Sequence, residues 1–273
     1  MYSSLGIVKN SRHSGALIGT HQKLDRSARY LLGKVAPRKS KFPSAEEILR
    51  FEGMRGPDGI KRKSPGVDEP WHFVDPDKDD GKLIQLILDH QYNLKKALKS
   101  DNQVRAAFEA AWMAHAIADG LTPAHHYPYS EVVDELMVDM DYKKIFGIEI
   151  KGIMRGRNLL EATRNNWLYW GAGGVMTKHI AFEYGIAYAV AGSKRSALLP
   201  KLHKSDVAGG VDLKKEFYKS LYRVHSLNMY GRFLKTGWTT QLALETKNVL
   251  IPEVVRAITL GWASSIPLES DKK

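Results

Sequence analysis

Residues 106–120 read Ala106-Ala107-Phe108-Glu109-Ala110-Ala111-Trp112-Met113-Ala114-His115-Ala116-Ile117-Ala118-Asp119-Gly120, and this stretch decides the fold class. Alanine has the strongest intrinsic helix preference and adds no bulk, so the run favours a helix that neighbours can approach closely. Gly120 and Pro123 then stop it. Residues 82–99 carry a second helical pattern, joined to 102–119 only by Ser100-Asp101, which implies an antiparallel pair. Outward from this pair the chain stays helical. A first helix is expected over 16–33, stopped at Gly33 with Pro37 beyond, and a short one over 44–52 with Ser44 as N-cap and Glu47 at the capping-box position. Further helices are expected over 130–143, 150–164, 175–191 (after the turn Gly171-Ala172-Gly173-Gly174), 212–234 and 239–262, the last broken near Pro252. No repeat, heptad seam or convincing strand interrupts them. The expectation is an all-α, single-domain multi-helix bundle with long ordered loops, the longest from Gly53 to Asp80.

Composition narrows the classes. The 273 residues are 43% hydrophobic with six tryptophans, enough for a sizeable core. Without cysteine there are no disulfides or thiolate ligands, so any metal must use His, Asp and Glu. No apolar run approaches 18 residues and no long apolar h-region follows Met1, so neither a membrane span nor a secretory leader is expected, only a cytoplasmic or already processed chain. The formal charge is +11, and residues 1–41 hold nine Lys or Arg against the single acid Asp25. Residues 1–14 form a basic arm suited to an anionic membrane surface or nucleic acid, or a solvated surface. Residues 15–264 are expected to make the helical domain, with an insertion at 127–175, and 265–273 a flexible tail.

Chemistry concentrates at the end of the alanine-rich helix. His115 and Asp119, four residues apart, project from one helix face, and His125 follows on the turn beyond. Two further pairs share the spacing, His21/Asp25 and His179/Glu183. Ten histidines among 273 residues would give about one such pair by chance, so surface i,i+4 pairs compete with metal ligation as an explanation. Imidazole and carboxylate together suit Zn²⁺. The long loop adds Asp58, in the tight turn Arg55-Gly56-Pro57-Asp58, and His72, between Trp71 and Phe73.

In their order and spacing these residues resemble the zinc-dependent phospholipase C family and its relatives, the single-strand-specific zinc nucleases. In that family a first-helix His is followed by a loop Asp, then about fourteen residues later a His in a segment like Ser-His-Phe-Tyr-Asp-Pro-Asp. His-x3-Asp-x5-His and a final His-x3-Glu complete the series. Here His21, Asp58, His72 (in Trp71-His72-Phe73-Val74-Asp75-Pro76-Asp77), His115, Asp119, His125, His179 and Glu183 follow that order over about residues 15–190. The resemblance implies an α-helical phosphodiesterase with two to three zinc ions. Asp58, His72, His115 and Asp119 would hold one ion, and His125, His179 and Glu183 a second. Asp119 would bridge to a third, which His21 also binds. Asp58 matches the family's proposed general base.

Three features depart from the family. No Trp precedes His21 to supply the N-terminal ligands of the third zinc; Asp25 is the candidate substitute, with a salt bridge to Arg29 as its alternative role and His13 as a weaker candidate. Glu183 lies in a final motif that begins 54 residues after His125, which makes 127–175 an insertion whose Trp167, Tyr169 and Trp170 either pack inward or form a lid or membrane-touching element. Aromatics of a choline cage are not evident, Glu69 and Gly59 standing at the corresponding places. The expected activity is attack on a phosphodiester by a zinc-activated water, with a phospholipid or another phosphodiester as substrate. The alternatives are a nuclease preferring single strands and a non-catalytic, zinc-stabilised helical binding protein.

Overall fold

A computed structural model of the chain describes residues 19–37, 41–59, 73–78, 81–127, 156–208 and 210–267. Eleven α-helices are described: α1 (Thr20–Val35), α2 (Ala45–Leu49), α3 (Lys82–Lys99), α4 (Gln103–Gly120), α5 (Leu159–Trp170), α6 (Val175–Val190), α7 (Ser205–Ala208), α8 (Leu213–Ser226), α9 (Met229–Thr236), α10 (Thr240–Glu245) and α11 (Ile251–Ser265). No strand occurs among the described residues, and the protein is all-α. None of these helices is long and apolar enough to cross a membrane. The expected arm (1–14) and the helix over 130–143 lie outside the described residues.

The α3–α4 hairpin forms as the sequence implies. Asp101 takes a positive φ of 54°, and the Asn102 side chain caps α4 by accepting from Arg105 N at 3.0 Å. On α4, Ala106, Ala107, Ala110, Ala111 and Ala114 are all buried. Their small size exposes backbone to a neighbour: the fully buried Trp262 of α11 donates its Nε1–H to the carbonyl of Ala110 at 2.9 Å. At the far end, a methyl group on Gly120 would lie 2.5 Å from Leu83 Cδ2 and 3.0 Å from Phe217 Cζ, so α3, α4 and α8 converge closely at this glycine. That convergence places the end of α4, with its histidines, deep in the bundle.

Several boundaries differ from expectation for local reasons. Gly33 does not stop α1, which runs to Val35. The helix ends because Pro37 drives Ala36 into extended backbone (φ −72°, ψ 159°). The predicted 44–52 helix is shorter, ending at Leu49, but its capping box is intact: Glu47 N donates to Ser44 Oγ (3.2 Å) and Ser44 N to Glu47 Oε2 (2.7 Å). Within the expected loop, Gly53–Arg55 forms a 3₁₀ turn. Of the helix expected over 150–164, residues 150–155 lie outside the described residues, and the described part is helical from Leu159 on, continuing to Trp170, with Asn158 capping it through Glu161 N. The expected 212–234 helix is two, α8 and α9, because Asn228 adopts φ 45° between them. The break expected near Pro252 in the 239–262 helix is found, as a π turn at Thr246–Leu250 that ends where Pro252 opens α11.

Two helices that carry candidate ligands are tied together directly. Lys23, on α1 two residues after His21, donates its Nζ to the carbonyls of Val190 and Ala191 at 2.5 Å each. These carbonyls lie at the C-terminus of α6, where a cation is favoured. Burial, with Arg26 nearby, lowers the pKa of this lysine.

Candidate metal centre

The site grows from the last turn of α4. His115 and Asp119 are buried on the inward face. After Gly120 the chain turns, with Thr122 Oγ1 donating to Ala118 O (2.8 Å) and His125 N to Thr122 O (2.8 Å). The 3₁₀ turn Pro123–His126 then sends the two adjacent histidines different ways. His125 points to the interior. His126 donates Nε2–H to Gly120 O at 2.9 Å, so only one of the pair joins the site.

One convergence forms around Asp119. Its Oδ1 lies 3.1 Å from His21 Nε2 and its Oδ2 3.2 Å from His115 Nε2. The carboxylate of Asp58 approaches the same His115 nitrogen, at 3.5 Å. The imidazoles of His21 and His115 stack at 4.0 Å with planes 5° apart. His21, Asp58 and His115 each present one ligand atom, all within 4.8 Å of one another. Behind them, His115 Nδ1–H donates to Glu52 Oε1 at 3.0 Å, with both side chains fully buried. That bond fixes the tautomer and turns Nε2 toward the carboxylates.

The second convergence joins the turn to α6. His179 and Glu183, one helical turn apart, face inward, and Glu183 Oε1 lies 3.2 Å from His179 Nε2 and 2.9 Å from His125 Nε2. Their ligand atoms also fall within 4.8 Å of one another. Phe73 stacks on His125 at 4.7 Å and reaches His179 at 6.0 Å, and Val74 N donates to His125 O at 3.1 Å. An aromatic neighbour of His72 therefore shields the second group from water.

Burial and mutual attraction compete at these imidazoles and carboxylates. Burial opposes charge on His115, yet Glu52, Asp119 and Asp58 outweigh it and hold its pKa well above 6.5. Burial likewise pushes Asp119 up, but neighbouring positive charges, those of His125, His115 and His21 among them, hold it well below the carboxylate range. Asp58 is lowered in the same way, against its burial, by His115. Asp119 also acts on His125, so the two groups lie within electrostatic reach of each other. His125 is nonetheless lowered, burial being the larger effect. Imidazole nitrogens and carboxylate oxygens facing one another favour either a proton or a metal ion between them, and two such sets match the donor preferences of Zn²⁺.

Seven of the eight expected ligands lie in the described residues, and the structure brings all seven to the two groups: His21, Asp58, His115 and Asp119 in one, His125, His179 and Glu183 in the other. His72 and His13 lie outside the described residues, as does Glu69. Asp25 is buried on the inner face of α1 but is not in either converging set. Burial first, then the charge of Glu52, raises its pKa well above the carboxylate range, and its Oδ2 has no hydrogen-bond partner among the described residues. The alternative pairing with Arg29 does not form, because that guanidinium donates to the carbonyls of Pro43 (2.6 Å) and Phe42 (3.3 Å). Glu52, bonded to His115 behind the first set, is a residue of the candidate site that sequence reasoning missed. Of the aromatics of the insertion, Tyr169 packs inward while Trp167 and Trp170 do not. Comparison of the chain with models of known protein families, with curated proteins and with solved structures finds no match.

Proposed function

We propose that this protein is a zinc-dependent phosphodiester hydrolase of phospholipase C type. The observation that carries the reading is the presence of two buried donor sets, His21, Asp58 and His115 converging with Asp119, and His125 and His179 converging on Glu183. His21, Asp58, His115 and Asp119 would hold one or two ions, and the second group another. Zn²⁺ bound there supplies positive charge that neutralises a phosphate and lowers the pKa of water toward neutrality.

The chain's own residues contribute orientation and exclusion. Glu52 holds His115 in one tautomer, and Phe73 keeps water from His125. Asp58 is the most open of its group, its side chain 26% exposed against 0% for His115 and 3% for Asp119. It is therefore the carboxylate a substrate would meet first. In the metal-free chain its low pKa favours ligation over proton abstraction, because a strongly acidic carboxyl is a weak base near neutrality.

A second reading, a zinc nuclease preferring single strands, draws on one surface feature. Tyr30 on α1 is 42% exposed, with Lys34 Nζ 4.5 Å and Arg195 Cζ 5.1 Å from its ring centroid. An exposed ring between cations suits a stacked base and its phosphates. The test is metal analysis of the purified chain and of His115→Ala, with hydrolysis assays on phospholipid and on single-stranded DNA. Two or more zinc ions per chain and phospholipid cleavage lost in His115→Ala are expected. Cleavage of DNA alone would move the assignment to the nuclease, and fewer than two metals with no hydrolysis would overturn both.

A further inference from the structure

We propose that the outer face of α5 is a docking surface for an anionic phospholipid bilayer. The inference rests on the hydrolase reading above, and it deepens that reading by naming a membrane as the place where substrate is met. A helix in a soluble bundle ordinarily turns its apolar stripe to the core. Helix α5 does the reverse. Leu159 and Leu160 are each 84% exposed, Trp167 68% and Trp170 45%, while the buried positions are Asn165 and Tyr169. At 100° per residue, Leu159, Leu160, Trp167 and Trp170 fall within one arc of about 100°. The outward stripe begins in the two leucines, passes the exposed Thr163 and ends in two indoles.

The stripe is held rather than loose. Asn158 caps the helix, and a methyl group on Gly171 would meet Trp167 Cδ2 at 2.8 Å, so the indole lies back over that glycine. Helix α5 packs on α6, whose inner face carries His179 and Glu183 and whose outer face shows Ile180, Tyr184 and Tyr188.

Charge selects the occupant. Arg157, its side chain 74% exposed, and Arg164 flank the stripe. The one acid on α5, Glu161, is engaged by Arg157 through its backbone N–H (2.7 Å) and its guanidinium (3.7 Å). Leucine and tryptophan bordered by arginine, in a chain of net charge +11, match the acyl boundary and anionic headgroups of a bilayer. A second copy docked face to face would set arginine against arginine. Exposed leucines offer a nucleic-acid base no π face to stack on.

The test is flotation of the full chain, and of a Leu160→Gln/Trp167→Gln double variant, with vesicles of phosphatidylcholine alone and of phosphatidylcholine mixed equally with phosphatidylglycerol. Helicity is checked by circular dichroism. Native chain should bind the anionic vesicles more strongly, and the double variant should lose about tenfold or more in partitioning. Brominated phosphatidylcholine in the mixed vesicles should quench tryptophan fluorescence of the native chain, a readout that needs no variant. Equal binding by both proteins, no binding by either, or a native dimer that the substitutions dissociate without any vesicle binding would each overturn the proposal. Hydrolysis of a water-soluble phosphodiester should be equal in both proteins. Its absence from both would sink the hydrolase reading while leaving the vesicle result to stand or fall separately.

Discussion

Glu52 Oε1 lies 3.0 Å from Nδ1 of His115, although 63 residues separate them in the chain. The carboxylate sits at the N-cap of the short turn Gly53–Arg55, where it also accepts from Gly53 N at 3.2 Å. One side chain therefore sets both the turn that delivers Asp58 and the imidazole that Asp58 faces. Glu52→Gln keeps an acceptor of the same shape and removes the charge. Zinc affinity, read by competition with a chromophoric chelator, should fall about 10- to 100-fold with helicity unchanged. An unchanged affinity would show that Glu52 does not support the metal site.

The elevated pKa of His115 makes metal binding proton-linked. Burial disfavours its charged form, but Glu52, Asp119 and Asp58 raise the pKa well above 6.5. A group raised in this way contributes stability that is fully present below the unfolded value of 6.5 and is lost as pH rises through the folded value. Without metal, urea stability should decline on the alkaline side of neutrality. Saturating zinc replaces the proton and should remove that decline. Zinc binding at neutral pH should also release protons, measurable by calorimetry in buffers of different ionisation heat.

His126 has the opposite sign. Burial lowers its pKa to about 4, against the Gly120 carbonyl that favours its charged form. The unfolded chain then binds the extra proton first, so stability falls as pH drops from 6.5 toward 4 and levels off below. Because the ring is half-buried rather than sealed, the expected loss is on the order of 2 kcal/mol. His126→Gln should flatten that part of the acid-denaturation curve.

Gly120 tests how tightly the end of α4 is held. A methyl group there would lie 2.5 Å from Leu83 Cδ2 and 3.0 Å from Phe217 Cζ. Although alanine is the better helix former, Gly120→Ala should destabilise by about 1–3 kcal/mol in urea unfolding, since overpacking outweighs propensity. Gly33→Ala, where the nearest neighbour is the flexible Arg29 guanidinium at 3.5 Å, should be neutral or stabilising.

What the sequence displays depends on how local the cause is. His115 and Asp119 are legible because i,i+4 spacing and an alanine-rich helix fix their common face without outside help. The capping box of α2 is legible for the same reason. The end of α1 is not, since Gly33 tolerates helix and the restriction comes from Pro37 acting on Ala36. Asn228 breaks the α8–α9 pattern by taking a left-handed conformation that asparagine only sometimes adopts. Glu52 is silent in sequence because its meaning comes from a contact between separate elements. The exposed stripe of α5 reads as core by composition, and only its placement in the bundle shows that the leucines face outward.

Lys23 has a wider consequence. Its ammonium grips the last carbonyls of α6 from a position two residues beyond His21, so one flexible side chain acts as a strut between the helices that carry the two candidate ligand groups. Axial slippage of α6 would have to stretch that strut, and the strain would arrive at the His21 turn of α1. The spacing between the groups is in this sense gauged by a contact in which none of their own side chains takes part.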